Sequence, residues 1–167
     1  MLLDKRYKIE KVVSKDNYRV PLLNPYIDDH DGGKVIVATN GRSLVKIKVN
    51  VLEGENIPNG YVDKDLLKES QKRSIPLELT EDEQSVNGMT KKRDRDKDIY
   101  FPRWQRIIPE KGREIKLQVM LNAKKLYELS QAMGEDVVTL SFENHENAIE
   151  VTNSDKNTYG LIMPCKL

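Results

Sequence analysis

Two short stretches gather residue types that could ligate a metal or move a proton. Asp28-Asp29-His30-Asp31-Gly32-Gly33 offers carboxylate oxygens and an imidazole in one run, a mixture that suits a divalent cation. A glycine-ended acidic turn accounts for the same string more simply, because tight turns use Asp and Gly. The second histidine, His145, stands among Glu143, Asn144 and Glu146 between two strand-like runs, where a hairpin turn is the natural reading. There is no glycine-rich phosphate loop, no nucleophile motif and no cysteine–histidine spacing for zinc. We therefore expect neither an enzyme nor a bound metal or cofactor, and what remains is the chemistry of binding.

Charge narrows the partner. With 28 basic and 27 acidic residues the net charge is +1, so the chain lacks the basic excess of a simple nucleic-acid binder, and any contact with DNA has to come from a local patch. The 167 residues suffice for one domain with a true core, and 1–167 is read as a single domain. No apolar run approaches the length that spans a bilayer, which predicts a soluble protein without a membrane partner. The opening Met1-Leu2-Leu3-Asp4-Lys5-Arg6 places apolar residues before basic ones and lacks a leader's apolar region, so no secretory signal is expected. A single cysteine, Cys165, has no internal disulfide partner and fits a reducing cytoplasm.

Strand signals dominate the first part of the chain. Val12-Val13 and Tyr18-Arg19-Val20 lead into Lys34-Val35-Ile36-Val37-Ala38-Thr39, and after Asn40-Gly41 the run Leu44-Val45-Lys46-Ile47-Lys48-Val49 alternates apolar and basic residues. That pattern predicts a β-hairpin with one buried face. A helix is predicted from Asp63 to Gln71, with Asp63 capping its amides and Leu66 and Leu67 facing a core. Alternation returns at 75–79. The block from Lys91 to Asp98 has no apolar residue, so it is expected to bury nothing and to form a loop or solvated hairpin tip.

The last third is the plainest. Residues 115–121 read as a strand; Asn122 then caps a helix in which Leu126, Leu129 and Met133 recur at helical spacing until Gly134. Strands follow at 137–142, 148–151 and 159–163, giving the order β-α-β-β-β. A weaker echo precedes it, because the Asp63 helix is followed by 75–79 and 99–101. The fold class is therefore α+β: two β-α-β-β-β-type units with helices on one side of antiparallel sheets, divisible at 1–110 and 111–167.

Three segments carry a resemblance. Val37-Ala38-Thr39-Asn40-Gly41-Arg42-Ser43-Leu44 resembles the VATDGHRL hairpin of the bacterial DNA polymerase III β subunit, the DNA sliding clamp. Phe101-Pro102-Arg103-Trp104-Gln105-Arg106-Ile107-Ile108-Pro109 resembles its FPDYRRVLP segment, and Tyr159-Gly160-Leu161-Ile162-Met163-Pro164-Cys165-Lys166-Leu167 resembles its closing YVVMPMRL. The chain is less than half the length of a family member, and 1–33 and 50–98 do not match closely.

The resemblance implies a DNA-clamp-like fold and a pocket for short apolar peptides of replication or repair proteins. It assigns that pocket to Thr39, Gly41, Arg42 and Leu44, to Pro102, Arg106 and Ile107, and to Leu161, Ile162, Met163, Pro164, Cys165, Lys166 and Leu167. Apolar walls and a few polar rim groups are what such a pocket needs, with Met163 as an adaptable wall. The hairpin departs from the family at Asn40 and at Arg42-Ser43, and Arg103-Trp104 replaces Asp-Tyr, which moves the rim charge and enlarges a ring. The alternative is a processivity factor that closes several copies into a ring around duplex DNA. Its phosphate contacts would come from Lys64, Lys68, Lys72 and Arg73 on the first helix and from Lys124 and Lys125 on the second. The same lysines also serve as an ordinary solvated helix face.

Overall fold

The computed structural model describes residues 1–51, 54–93, 100–108, 114, 117–153 and 158–165. The chain forms two compact units, Met1–Arg106 and Ile107–Leu167. Each unit is taken by itself.

The first unit opens with short 3-10 turns at Ile9–Lys11 and Val20–Leu22, so the valines at 12, 13 and 20 are not in strands as the sequence predicts. Pro21 explains part of this, because its ring removes an amide that a sheet would use. Strands β1 (Tyr26–His30), β2 (Gly33–Thr39), β3 (Leu44–Lys48) and β4 (Gly60–Tyr61) form one antiparallel sheet in the order β3-β2-β1-β4. The acidic string read as a turn is mostly strand: Asp28, Asp29 and His30 lie in β1, and only Asp31-Gly32 turns, both with positive φ. That two-residue turn suits the twist of its strands. Lys34 Nζ and Asn59 Nδ2 donate to Asp29, and those bonds, Lys34's first, hold its carboxyl below the ordinary value.

Helix α1 (Lys64–Arg73) follows β4. Asp63 caps it as predicted, its Oδ1 accepting from Asp65 N and Leu66 N, while Leu66 and Leu67 are buried. The helix runs two residues past the predicted end because Ser74 takes the left-handed turn, φ 55°, that glycine usually marks. Strands β5 (Glu78–Leu79), β6 (Glu83–Val86) and β7 (Met89–Lys92) form a second sheet against which α1 packs. Unit 1 thus contains β-α-β-β-β from β4 to β7. The last strand of that repeat is β7, and Tyr100 and Phe101 are not in a strand; Ile99 lies outside the described residues.

The largest surprise concerns the charged block. Lys91 and Lys92 belong to β7, and Arg93 is only 5% exposed. Its guanidinium donates to the carbonyls of Tyr61 (3.3 Å), Thr80 (2.9 Å) and Pro58 (3.2 Å), tying β4 to the loop before β6. Lys91 Nζ meets Asp63 Oδ2 at 2.8 Å, so the carboxylate that caps α1 also anchors β7. Residues 94–98 of the block lie outside the described residues.

In the second unit, α2 (Ala123–Ala132) is followed by β8 (Thr139–Ser141), β9 (Ile149–Thr152) and β10 (Tyr159–Ile162), paired in the order β10-β9-β8. Asn122 Oδ1 accepts from Lys124 N and Lys125 N. At the far end Gly134 N donates to Gln131 O and Glu135 N to Ser130 O, the left-handed termination that Gly134 announces. The predicted strand before the helix is reduced, among the described residues, to a bridge between Met120 and Cys165; Ile115 and Lys116 lie outside them. Leu126, Leu129 and Met133 pack on a core of Ile149, Val151 and Ile162. Leu129 sits so close to β10 that a Cβ on Gly160 would meet its Cδ1 at 2.9 Å, which explains glycine in that strand.

Replacing Arg93 by Ala leaves three carbonyls without this donor. We expect a loss of about 2–4 kcal/mol in urea unfolding, with Arg93→Lys recovering little because an ammonium has no planar fork to span them.

Candidate functional site

The β2–β3 hairpin is closed by a four-residue loop rather than by Asn40-Gly41 alone, since Thr39 pairs with Leu44. Asn40 Oδ1 accepts from the amides of Arg42 and Ser43, each at 2.9 Å. Thr39 Oγ1 donates to Ser43 O at 2.7 Å and accepts from Gly41 N at 3.0 Å. Gly41 has φ 86°, where a side chain would be strained. Asn and Gly at these positions therefore build the loop, leaving Arg42 exposed and Leu44 half-buried.

Register places Tyr26, Asp28, Val35, Val37, Thr39, Leu44, Lys46 and Lys48 on one face of the first sheet, opposite the face that carries Ile27, Ile36 and Ala38 into the core. Residues 101–106 cross the face of Tyr26 and Asp28, not the core face. Trp104, 2% exposed, donates Nε1–H to Asp28 Oδ2 at 3.0 Å, and Gln105 Nε2 donates to the same oxygen at 2.7 Å. The indole lies 4.8 Å from the His30 ring and 5.9 Å beneath Lys46 Nζ. Phe101 stacks on Tyr26 at 5.0 Å, and Tyr61 meets Tyr26 edge-on at 5.2 Å, a geometry that aromatic rings favour. Burial raises the Tyr26 phenol above its ordinary pKa, assisted by the negative charge of Asp28 and opposed by Arg93.

Asp28 and His30, read as candidate metal ligands, are thus engaged with Trp104 and Gln105. A cleft of about 210 Å³ opens beside them, lined by Tyr26, Asp28, Tyr100, Phe101, Pro102, Arg103 and Gln105. The sequence offered one sign of this anchor, the single tryptophan in a polar segment. Its acceptor lies 76 residues away, and no spacing rule reaches that far.

The register therefore puts Thr39 and Leu44 on the face that carries Tyr26 and Asp28, and Pro102 lines the cleft beside those two residues. In the second unit, Ile162 is buried in the core, while Leu161 and Met163 on either side of it are 54% and 65% exposed, as strand alternation requires. Cys165 N donates to Met120 O, Pro164 is half-buried and Ile107 is 69% exposed. Lys166 and Leu167 lie outside the described residues. On α1, Lys64, Lys68 and Lys72 form one row four residues apart, with Arg73 paired to Glu69. On α2, Lys124 and Lys125 are exposed, and Lys124 lies 3.7 Å from Glu128.

Two capped helices, each followed by three antiparallel strands, define a repeated α+β architecture. Its known counterpart is the bacterial sliding clamp. A beta sliding clamp of Caulobacter crescentus matches 97% of the chain with a TM-score of 0.70 at 18% identity. A sliding clamp (DNA polymerase III subunit beta) of Bartonella birtlesii, bound to griselimycin, matches 96% with a TM-score of 0.66, again at 18% identity. The chain has the sliding-clamp fold, and it spans about half the length of those clamps, 49% and 48%. No protein-family model and no curated protein matches it.

Trp104 is the only tryptophan, so its fluorescence reports on the anchor directly. Asp28→Ala is expected to move the emission to longer wavelength as residues 101–106 loosen and water reaches the indole. Asp28→Asn, which retains an acceptor oxygen, should shift it less.

Proposed function

We propose that this protein is a shortened sliding-clamp-like protein of DNA replication or repair that holds short apolar peptides of partner proteins and catalyses no reaction. The reading takes 1–167 as one clamp-like domain. It assigns peptide contacts to Thr39, Gly41, Arg42, Leu44, Pro102 and Arg106 in the first unit and to Ile107, Leu161 and 163–167 in the second, with Ile162 left to the core. One observation carries it. Within a fold matched to sliding clamps over 97% of the chain, the family-like segments hold large apolar side chains that neither core uses: Ile107, Leu161 and Met163. The Bartonella clamp bound to griselimycin adds that this fold can hold a ligand. Arg42 and Arg106, both exposed, suit the rim, where charge governs approach and specificity.

Burying a side chain the size of Leu or Met contributes roughly 1.5–3 kcal/mol. A labelled short peptide that binds bacterial clamps should therefore give saturable fluorescence polarisation with this protein. Met163→Ala and Leu161→Ala should each weaken it by about tenfold. Absence of saturable binding, or variants that bind as well as the parent, rejects the reading.

A second reading, a ring of several copies around duplex DNA, draws on the row Lys64, Lys68 and Lys72. It requires a multimer by light scattering and duplex binding that falls as salt rises. Lys68→Glu with Lys72→Glu should then abolish most of that binding. A monomer without duplex affinity at low salt excludes the ring.

A further inference from the structure

We infer that the free edge of β3, together with the cleft at its end, is a docking site for an extended acidic peptide that joins the first sheet as an added strand. The site adjoins the hairpin loop at Leu44 and residue Trp104 at Lys46, whose Nζ lies 5.9 Å from the indole, but it rests on outward backbone groups of β3 that the apolar-peptide reading does not use.

The backbone supplies the first observation. Strand β3 is the outer member of the order β3-β2-β1-β4 and has one strand neighbour among the described residues. Val49 N donates to Lys34 O at 2.9 Å and Asn40 N to Ser43 O at 3.3 Å. Antiparallel alternation then turns the amides and carbonyls of Val45 and Ile47 toward β2, and those of Leu44, Lys46 and Lys48 outward. An edge with outward donors and acceptors at every second residue is a template for one more strand.

Charge selects the occupant. Lys46 and Lys48 are exposed and share one face of the strand. A second copy of β3 would oppose lysine to lysine, and directly opposed like charges destabilise a cross-strand pair. A segment with carboxylates at alternate positions meets the same lysines favourably. The cleft gives direction: its volume is about 460 Å³, and it lies where β3 ends, with Leu2, Leu3, Tyr7 and Ile47 as apolar lining and Arg6 and Lys48 as cations. Asp4 and Asn50 also line it. Asp4 stands 3.9 Å from Arg6 Nε, while Arg6 Nη2 donates to Tyr7 Oη at 2.8 Å. The site thus fits a strand of alternating acidic and β-branched residues whose last residue is apolar and enters the cleft.

The test uses the full chain and a synthetic peptide of alternating Glu and Val that ends in Leu, with a Lys-for-Glu version as control. Amide exchange at Leu44, Lys46 and Lys48 should slow when the Glu peptide is added, with little change at Val45 and Ile47, which β2 already engages. Polarisation with the labelled Glu peptide should saturate and weaken as salt is raised. Lys46→Glu with Lys48→Glu should reduce affinity by at least ~10-fold. Lys46→Pro removes a donor that β2 does not use and should weaken binding more than Lys46→Ala, with circular dichroism unchanged. Equal binding of the Lys peptide, or unaltered exchange at the three amides, overturns the proposal. Protection of those amides without peptide, growing with protein concentration, overturns it too, because a second copy then covers the edge.

Discussion

Strand β2 has to be covered on both faces, and much of the first unit answers to that constraint. From Val35 to Thr39 every residue is buried, so the sheet cannot present one face to water as many antiparallel sheets do. One face meets the core of Ile27, Ile36, Leu66 and Leu67. The other would expose Val35 and Val37, and the segment at 101–106 closes it. That segment is held by a charge: the Asp28 carboxylate accepts from the Trp104 indole and from Gln105. Hydrogen bonds to a charged acceptor are worth more than neutral ones, and here they seat a large ring between His30 of β1 and Lys46 of β3. The fold and the candidate site are therefore one construction, since the anchored segment also carries Pro102 and Arg106.

Polar residues set the geometry elsewhere too. Asp63 caps α1 with one oxygen and holds Lys91 with the other, and Gln84, itself buried, accepts from the Asp63 amide. Arg93 satisfies three carbonyls between strands too short to satisfy them by pairing. β4 and β5 have two residues each, and short strands leave backbone groups that something else has to engage. A buried guanidinium with five donors in a fixed fork suits that task better than any apolar side chain.

Among the described residues the second unit has a smaller core, with three buried apolar residues and a helix that has none. It leaves Leu161, Met163, Tyr159 and Tyr127 in solvent. Side chains of this size and exposure are what the proposed peptide contacts would use. An 18% identity by itself speaks only to the backbone.

Several features were determined by the sequence alone. Asp63 and Asn122 marked both helix starts, Gly134 marked the second helix end, and alternation at 44–49 marked β3, because capping and strand periodicity are local effects that act within a few residues. The three family-like strings likewise pointed to the fold. What only tertiary structure decided was the surroundings of particular side chains. Asp28 read as turn or ligand and proved to be an anchor; Arg93 read as solvated and proved to be interior; Ile162 read as a pocket wall and lies in a core. The partners of Asp28 lie 76 and 77 residues away and those of Arg93 between 13 and 35, and whether a charge is in water or among carbonyls depends on which distant groups surround it, which no local pattern encodes.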